Sequence, residues 1–368
     1  MSVTLPQPRP GSFHIDETHL SAFKRIEEVL GSAQNLVLCA HTKPDGDALG
    51  SILGLAGILR HRFPGNNITC LLADDEAPSR TFSFLDIDTA MLQPSRYLNN
   101  MAGDSPAKNS DTSPSHLFPP PNVFIALDTP LLKRLGHAAK VARCAQEIVS
   151  FDHHVSSDPF ANVALVDDKA PATGSLIAEF GLFLEEETGK EMVDEHVAQC
   201  LFMAVMTDTG RFQYQNTTAE CLAQAAWLVE RGANPAYLSS HIYQNEPLSI
   251  LRLRALVTER IKLFCDGNLA TSYATLQDFA DLNVRTTDAD GLVDVVRSVE
   301  GSHIALFLKE VDDGSVVRGN LRAKGDYDVA SIAEAFGGGG HKAAAGFSAK
   351  GTIGEIEAKV VSLIEPLF

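Results

Sequence analysis

His41-Thr42-Lys43-Pro44-Asp45-Gly46-Asp47-Ala48-Leu49-Gly50-Ser51 packs one histidine and two aspartates into the seven residues from His41 to Asp47. The apolar run before it, Asn35 to Ala40, reads as a buried strand, and Ala48 to Arg60 carries leucine and isoleucine at helical spacing. The acidic turn therefore sits at the carboxyl end of a strand, the edge at which open α/β sheets bind ligands. Ile68 to Ala73 reads as the next strand, so the chain opens on a βαβ unit, which predicts a parallel sheet.

Working outward, the strand pattern returns at Val123 to Leu127, running into Asp128, and at Ile148 to Phe151, running into Asp152-His153-His154. Residues 162–166 suggest a further strand. Helices are expected over 16–33, 130–142, 171–188, 194–206, 218–231 and 247–261. The helix over 194–206 is apolar on most sides, and Thr207-Asp208-Thr209-Gly210 follows it. Residues 99–121 lead through Ser and Thr to Pro119-Pro120-Pro121, a composition that cannot build a core and is expected to be a mobile surface insertion.

From about Lys262 the pattern changes to short strands (270–276, 304–310, 316–323, 345–348), with helices near 291–299, 328–336 and 353–367. Gly337-Gly338-Gly339-Gly340-His341 follows the amphipathic segment ending at Phe336. The reading is an α/β protein. A parallel-sheet domain spans 16–245, a helical linker 246–261, and a smaller α+β domain 262–368, in keeping with a length of 368 residues.

The net charge of -17 disfavours a long polyanion, whose binding rests on Lys and Arg, but a small anionic substrate fits if bound metal reverses the local potential. Between His303 and Lys350 the charges balance, which makes that stretch comparatively anion-friendly. The cysteines are scattered without a C-x-x-C pair, as in a reducing compartment. No apolar run reaches the roughly 18 residues of a membrane span, and the start of the chain lacks the apolar core of a signal peptide. A cytoplasmic protein without membrane association is expected.

The residues at element ends are His41, Asp45, Asp47, Asp128, Asp152, His153, His154 and Asp208. Oxygen and imidazole donors without thiolate suit hard divalent ions such as Mn or Mg. One ion does not need so many ligands, whereas two ions about 3.5 to 4 Å apart use most of them, an arrangement suited to phosphate-ester hydrolysis. Singly, Asp45 and Asp47 read as turn residues beside Gly46, and a lone aspartate at a strand end is more often a helix cap than a ligand. Four such coincidences at element ends point to one site.

His41-x-x-x-Asp45-x-Asp47, Asp128 after an apolar strand, Asp152-His153-His154 and Thr207-Asp208-Thr209-Gly210 resemble the four motifs of the DHH phosphoesterase superfamily. Gly337 to His341, continued by Lys342-Ala343-Ala344-Ala345-Gly346, resembles the GGGGH segment of its DHHA1-type carboxyl domain. Within it, the two-domain layout is similar to the bacterial nanoRNase (oligoribonuclease) and pAp phosphatase group. The resemblance implies one metal on His41, Asp45 and Asp128, and a second on Asp47, Asp128, His153 and Asp208, with Asp128 as the bridge. It also implies that His154 is a phosphate contact or proton donor and that Asp152 orients an imidazole. Arg322, in Gly319-Asn320-Leu321-Arg322, matches a substrate arginine, and Gly338, Gly339, Gly340 and His341 are expected to receive a terminal phosphate. Two manganese ions, with magnesium an alternative, and a homodimer acting on short oligonucleotides, pApA or pAp are implied. The competing readings are a metal-dependent nucleotide sensor without turnover and a manganese pyrophosphatase, which lacks the GGGGH segment.

Overall fold

The computed structural model describes residues 13–101, 118–154 and 159–368. Most of the expected insertion, 102–117, lies outside the described residues, as does the start of the chain. The chain divides into two compact units, Met1–Gln244 and Asn245–Phe368.

In the first unit, strands β1 (Asn35–Cys39), β2 (Asn67–Leu71), β3 (Val123–Leu127), β4 (Glu147–Asp152) and β5 (Val163–Val166) form one sheet in the order β2-β1-β3-β4-β5. Every pairing is parallel. Parallel strands covered on both faces read as continuous apolar runs, and alternation sends Leu36 and Leu38 into one core, Val37 and Cys39 into the other.

Helices α1 (Leu20–Gly31), α2 (Gly46–Arg62), α3 (Thr173–Thr188) and α4 (Glu195–Asp208) contribute to the larger of these cores. Asp45 caps α2 and Asp194 caps α4, each carboxylate accepting an N–H three residues on. Helices α5 (Ala219–Glu230) and α6 (Pro235–Tyr243) follow. The second of these is additional to the helices that the apolar spacing predicts.

α2 and α4 approach closely because α2 presents glycine at the contact. A Cβ on Gly50 would lie 2.4 Å from the Cys200 carbonyl oxygen, and one on Gly46 2.4 Å from Thr207 Oγ1. The helix expected over 130–142 is instead a 3-10 segment, Leu132–Ala138, and a short helix, Ala139–Ala142, broken at Gly136 with φ +51°. The Arg134 carbonyl accepts from Thr42 N–H and the Ala138 N–H donates to the Ala73 carbonyl, so the segment follows the strand ends rather than its own helical ladder.

The second unit opens with α7 (Leu248–Glu259), expected as a linker; its Leu253 and Val257 are buried in that unit's core with Ala270, Phe279 and Phe307. Its sheet has the order β10-β11-β9-β8-β7-β6, built from β6 (Lys262–Phe264), β7 (Leu269–Ala274), β8 (Ile304–Val311), β9 (Val316–Ala323), β10 (Gly339–His341) and β11 (Ala344–Lys350). Only the β7–β8 pairing is parallel. Helices α8 (Leu276–Leu282), α9 (Val293–Arg297), α10 (Ala330–Glu334) and α11 (Ile353–Ile364) complete it. The strand expected to run to Leu276 stops at Ala274, because Thr275 and Asp278 form a capping box that starts α8.

Candidate metal centre

The first sheet reverses its strand order between β1 and β3, and the loops leaving that point carry His41 and Asp128. His41 lies just beyond β1, and its Nδ1 is 2.8 Å from the Thr42 carbonyl. A carbonyl only accepts, so Nδ1 carries the proton and Nε2 is left facing the carboxylates. That atom lies 3.3 Å from Asp128 Oδ2 and 3.8 Å from Asp45 Oδ2. Asp45 serves twice: Oδ1 caps α2, as the helix-cap reading allows, while Oδ2 turns to His41.

Asp128, 2% exposed, follows β3 with φ +52°, a left-handed backbone uncommon outside glycine and typical of functional turns. Its Oδ1 is 3.5 Å from both His153 Nε2 and His154 Nδ1, and it accepts from Thr173 Oγ1 at 3.2 Å. Burial works to raise its pKa, but His153 and His41, which donate to it when their rings are protonated, outweigh that and hold the carboxyl far below its ordinary range.

Asp47 lies in the first turn of α2, 1% exposed. Helix α3 begins after Ala172, which has no capping side chain, and its free N–H groups turn to Asp47: Thr173 N–H donates to Oδ2 at 2.7 Å and Gly174 N–H to Oδ1 at 2.9 Å. Ser51 adds a third donor at 3.0 Å. Burial, then the neighbouring Asp128 and Asp208, nevertheless push this carboxyl well upward.

His153 and Asp208 close the group. His153 Nδ1 faces the Ala170 carbonyl at 3.3 Å, and its Nε2 lies 3.5 Å from Asp128, 3.6 Å from Asp208 and 3.9 Å from Asp47. Asp208 ends α4, and burial raises its carboxyl to about 6, opposed by His153. The ligand atoms form three compact groups, His41 with Asp45 and Asp128, Asp47 with His153 and Asp208, and Asp128 with His153 and His154. Behind them Asp152 Oδ1 pairs with His154 Nδ1 at 2.8 Å.

These donors fit divalent cations. Asp47, Asp128 and Asp208 converge where carboxylates repel, two of them almost fully buried, while His41 and His153, each with Nδ1 on a backbone carbonyl, turn inward an Nε2 that is a lone pair in the neutral ring. Cations between the carboxylates remove that conflict, and an oxygen and imidazole set without sulfur suits a hard or borderline ion.

The residues expected to bind substrate lie in the second unit. Arg322 is on β9, half-buried, with one guanidinium N–H on the Leu321 carbonyl at 2.9 Å. The N–H groups of Gly337 and Gly338 are not turned outward: they donate to the Glu334 and Ala333 carbonyls at 2.9 Å and close the end of α10. Gly338 is required sterically, since a Cβ there would lie 2.2 Å from the Gly346 carbonyl oxygen. Gly339, Gly340 and His341 pair with β11 as an antiparallel edge strand.

Several supports of the site escaped sequence reasoning, namely Thr173, Gly174, Ser51 and the Ala170 carbonyl. The uncapped start of a buried helix at Ala172-Thr173-Gly174 was the one available signal.

A parallel α/β domain with carboxylates and imidazoles gathered at its topological switch point, in a chain with a second α+β unit, defines a two-domain α/β protein with the donor set of a divalent-metal centre. The chain matches the DHH family, N-terminal domain, over residues 35–205 and the DHHA1 domain over 266–365, and it thus carries both of these domains. It is 28% identical over 354 residues to the bifunctional oligoribonuclease and PAP phosphatase NrnA of Thermus thermophilus, covering 95% of this chain and 93% of that protein. The protein of the same description from Bacillus subtilis is 24% identical, covering 85% and 88%. The fold also matches the crystal structure of an exopolyphosphatase-related protein from Bacteroides fragilis, with a TM-score of 0.82 at 22% identity over 95% of this chain and 97% of that one.

Proposed function

We propose that this protein is a metal-dependent phosphoesterase that hydrolyses short oligonucleotides or linear dinucleotides such as pApA to mononucleotides and removes the 3'-phosphate of pAp. The observation that carries the reading is Asp128, a buried carboxylate whose two oxygens face His41 on one side and His153 on the other. The printed activities of the NrnA relatives, matched along most of their length, support the same choice.

In this reading His41, Asp45 and Asp128 hold one ion, and Asp47, Asp128, His153 and Asp208 a second, with manganese preferred over magnesium by the imidazole donors. When bound, such a pair lowers the pKa of water and neutralises charge gathering on a phosphoryl group. The protein's own residues do the rest. The Thr42 and Ala170 carbonyls fix the tautomers of His41 and His153, and the first N–H groups of α3 fix both oxygens of Asp47. Asp152 holds His154 through Nδ1, leaving Nε2 to contact the phosphate or to deliver a proton to the departing oxygen. Arg322 and the β10 edge receive the substrate's terminal phosphate.

Among the described residues no helix is long and apolar enough to cross a membrane. A cytoplasmic homodimer is part of this proposal. Purified protein with Mn should release mononucleotides from pApA and phosphate from pAp, with activity falling as oligonucleotides lengthen; inactivity on both small substrates rejects the proposal.

A further inference from the structure

One face of the second unit's sheet carries a side chain with no role in the account above. On β9, Val317 and Leu321 point into the core that includes Ile356 and Val360 of α11, so Arg318, Asn320 and Arg322 share the opposite face. Asn320 pairs with Phe307 on β8 and with Gly346 on β11, and Gly346 in turn pairs with Gly339 on β10. On its β8 side Asn320 therefore abuts the buried Phe307, while on the β11 and β10 side the sheet beside it is bare backbone. Nothing lies within 4 Å of where a Gly339 Cβ would stand.

Asn320 is only 8% exposed, yet among the described residues its carboxamide has no hydrogen-bond partner. Nor is its amide among the polar atoms sealed from solvent. Its Oδ1 lies 3.7 Å from the point where a Gly346 Cβ would be, which aims the amide at the glycine floor. A largely buried side chain whose amide still opens to the surface keeps its donors and acceptor unspent for a ligand.

We propose that Asn320 determines specificity by hydrogen-bonding a ribose hydroxyl of the nucleotide whose phosphate Arg322 holds; the inference rests on the phosphoesterase reading above. A carboxamide offers both an acceptor and donors, as a hydroxyl does, whereas phosphate calls for donors alone. Two residues along a strand separate the side chains by roughly 6.7 Å, which places the amide beside a sugar when the guanidinium holds its phosphate. A substrate lacking the hydroxyl forgoes that hydrogen bond, so the site discriminates ribose from deoxyribose.

The test is kcat and KM for pApA and for its deoxyribose counterpart with Mn. The wild type should favour the ribose substrate in kcat/KM by about tenfold, the worth of one good hydrogen bond. Asn320→Ala should bring that ratio close to one, mainly by raising KM for pApA, with the deoxyribose substrate unaffected. If thermal melting shows that Asn320→Ala fails to fold, Gly346→Ala replaces it: the new methyl makes ordinary contact with Oδ1, covers the amide and should collapse the ratio in the same way. Equal kcat/KM on the two substrates in the wild type, or a ratio preserved in the folded variants, overturns the assignment. Wild-type inactivity on both dinucleotides is a different failure, which overturns the phosphoesterase reading and this inference with it.

Discussion

The N–H of Thr173 donates to Asp47 Oδ2 at 2.7 Å, so the open end of one buried helix is capped by a carboxylate from the first turn of another. The metal centre and the fold are thus one construction, and changes to packing should register as changes in metal affinity.

Gly50 tests that coupling. Alanine there would place Cβ 2.4 Å from the Cys200 carbonyl oxygen, which backbone cannot yield cheaply. Pushing α2 from α4 should destabilise the protein by about 1–3 kcal/mol. It should also weaken metal binding, because Asp47 rides on α2 and Asp208 ends α4. Thermal melting and metal titration of Gly50→Ala check both, and unchanged metal affinity in a destabilised variant contradicts the coupling.

His19 supplies a pH signature away from the metals. Its Nδ1 is 3.1 Å from Glu179 and its Nε2 3.6 Å from Asp167, and the Glu179 hydrogen bond raises its pKa against the effect of burial. A group raised on folding stabilises the native state below its unfolded pKa of about 6.5, and that contribution disappears as pH rises through the folded value. The melting-temperature difference between wild type and His19→Gln should therefore be largest below about pH 6.5 and shrink above it. A difference that grows with pH refutes the pairing.

Asp278 gives the opposite sign in the second unit. Arg260 grips it through two N–H donors, at 2.5 and 2.9 Å, and holds its carboxyl down at about 2, aided by the Thr275 N–H and hydroxyl. A depressed carboxyl stabilises above its unfolded value of about 4 and loses that contribution as pH falls toward 2. Because the pair is partly exposed, Asp278→Asn should cost only about 1 kcal/mol at neutral pH. Denaturant titrations should show the variant converging on wild type in acid; an equal deficit at every pH above the acid transition counts against it.

Much of the first unit could be read from its residues, because strands buried on both faces announce themselves as apolar runs and each ends in a chemically distinctive residue. His41, Asp128 and His153 were legible for that reason. The 3-10 segment at Leu132–Ala138 was not, since its apolar spacing imitates a helix while tertiary bonds to Thr42 and Ala73 set its path. Two further elements carry local signals: Asn234-Pro235 opens α6 with a cap and an N1 proline, and Thr275-x-x-Asp278 is a capping box. The glycines of α2 and the amide of Asn320 acquire meaning only from what lies across from them, which no local pattern contains.

The central claim is that one buried carboxylate serves two ions. Metal content of the wild type and Asp128→Asn, measured by mass spectrometry of the folded proteins after equilibration with Mn, tests it most directly. Two ions per chain in the wild type are predicted, with the variant losing at least one and its turnover falling by about 10³-fold or more. Two ions retained by a folded Asp128→Asn would contradict the bridge.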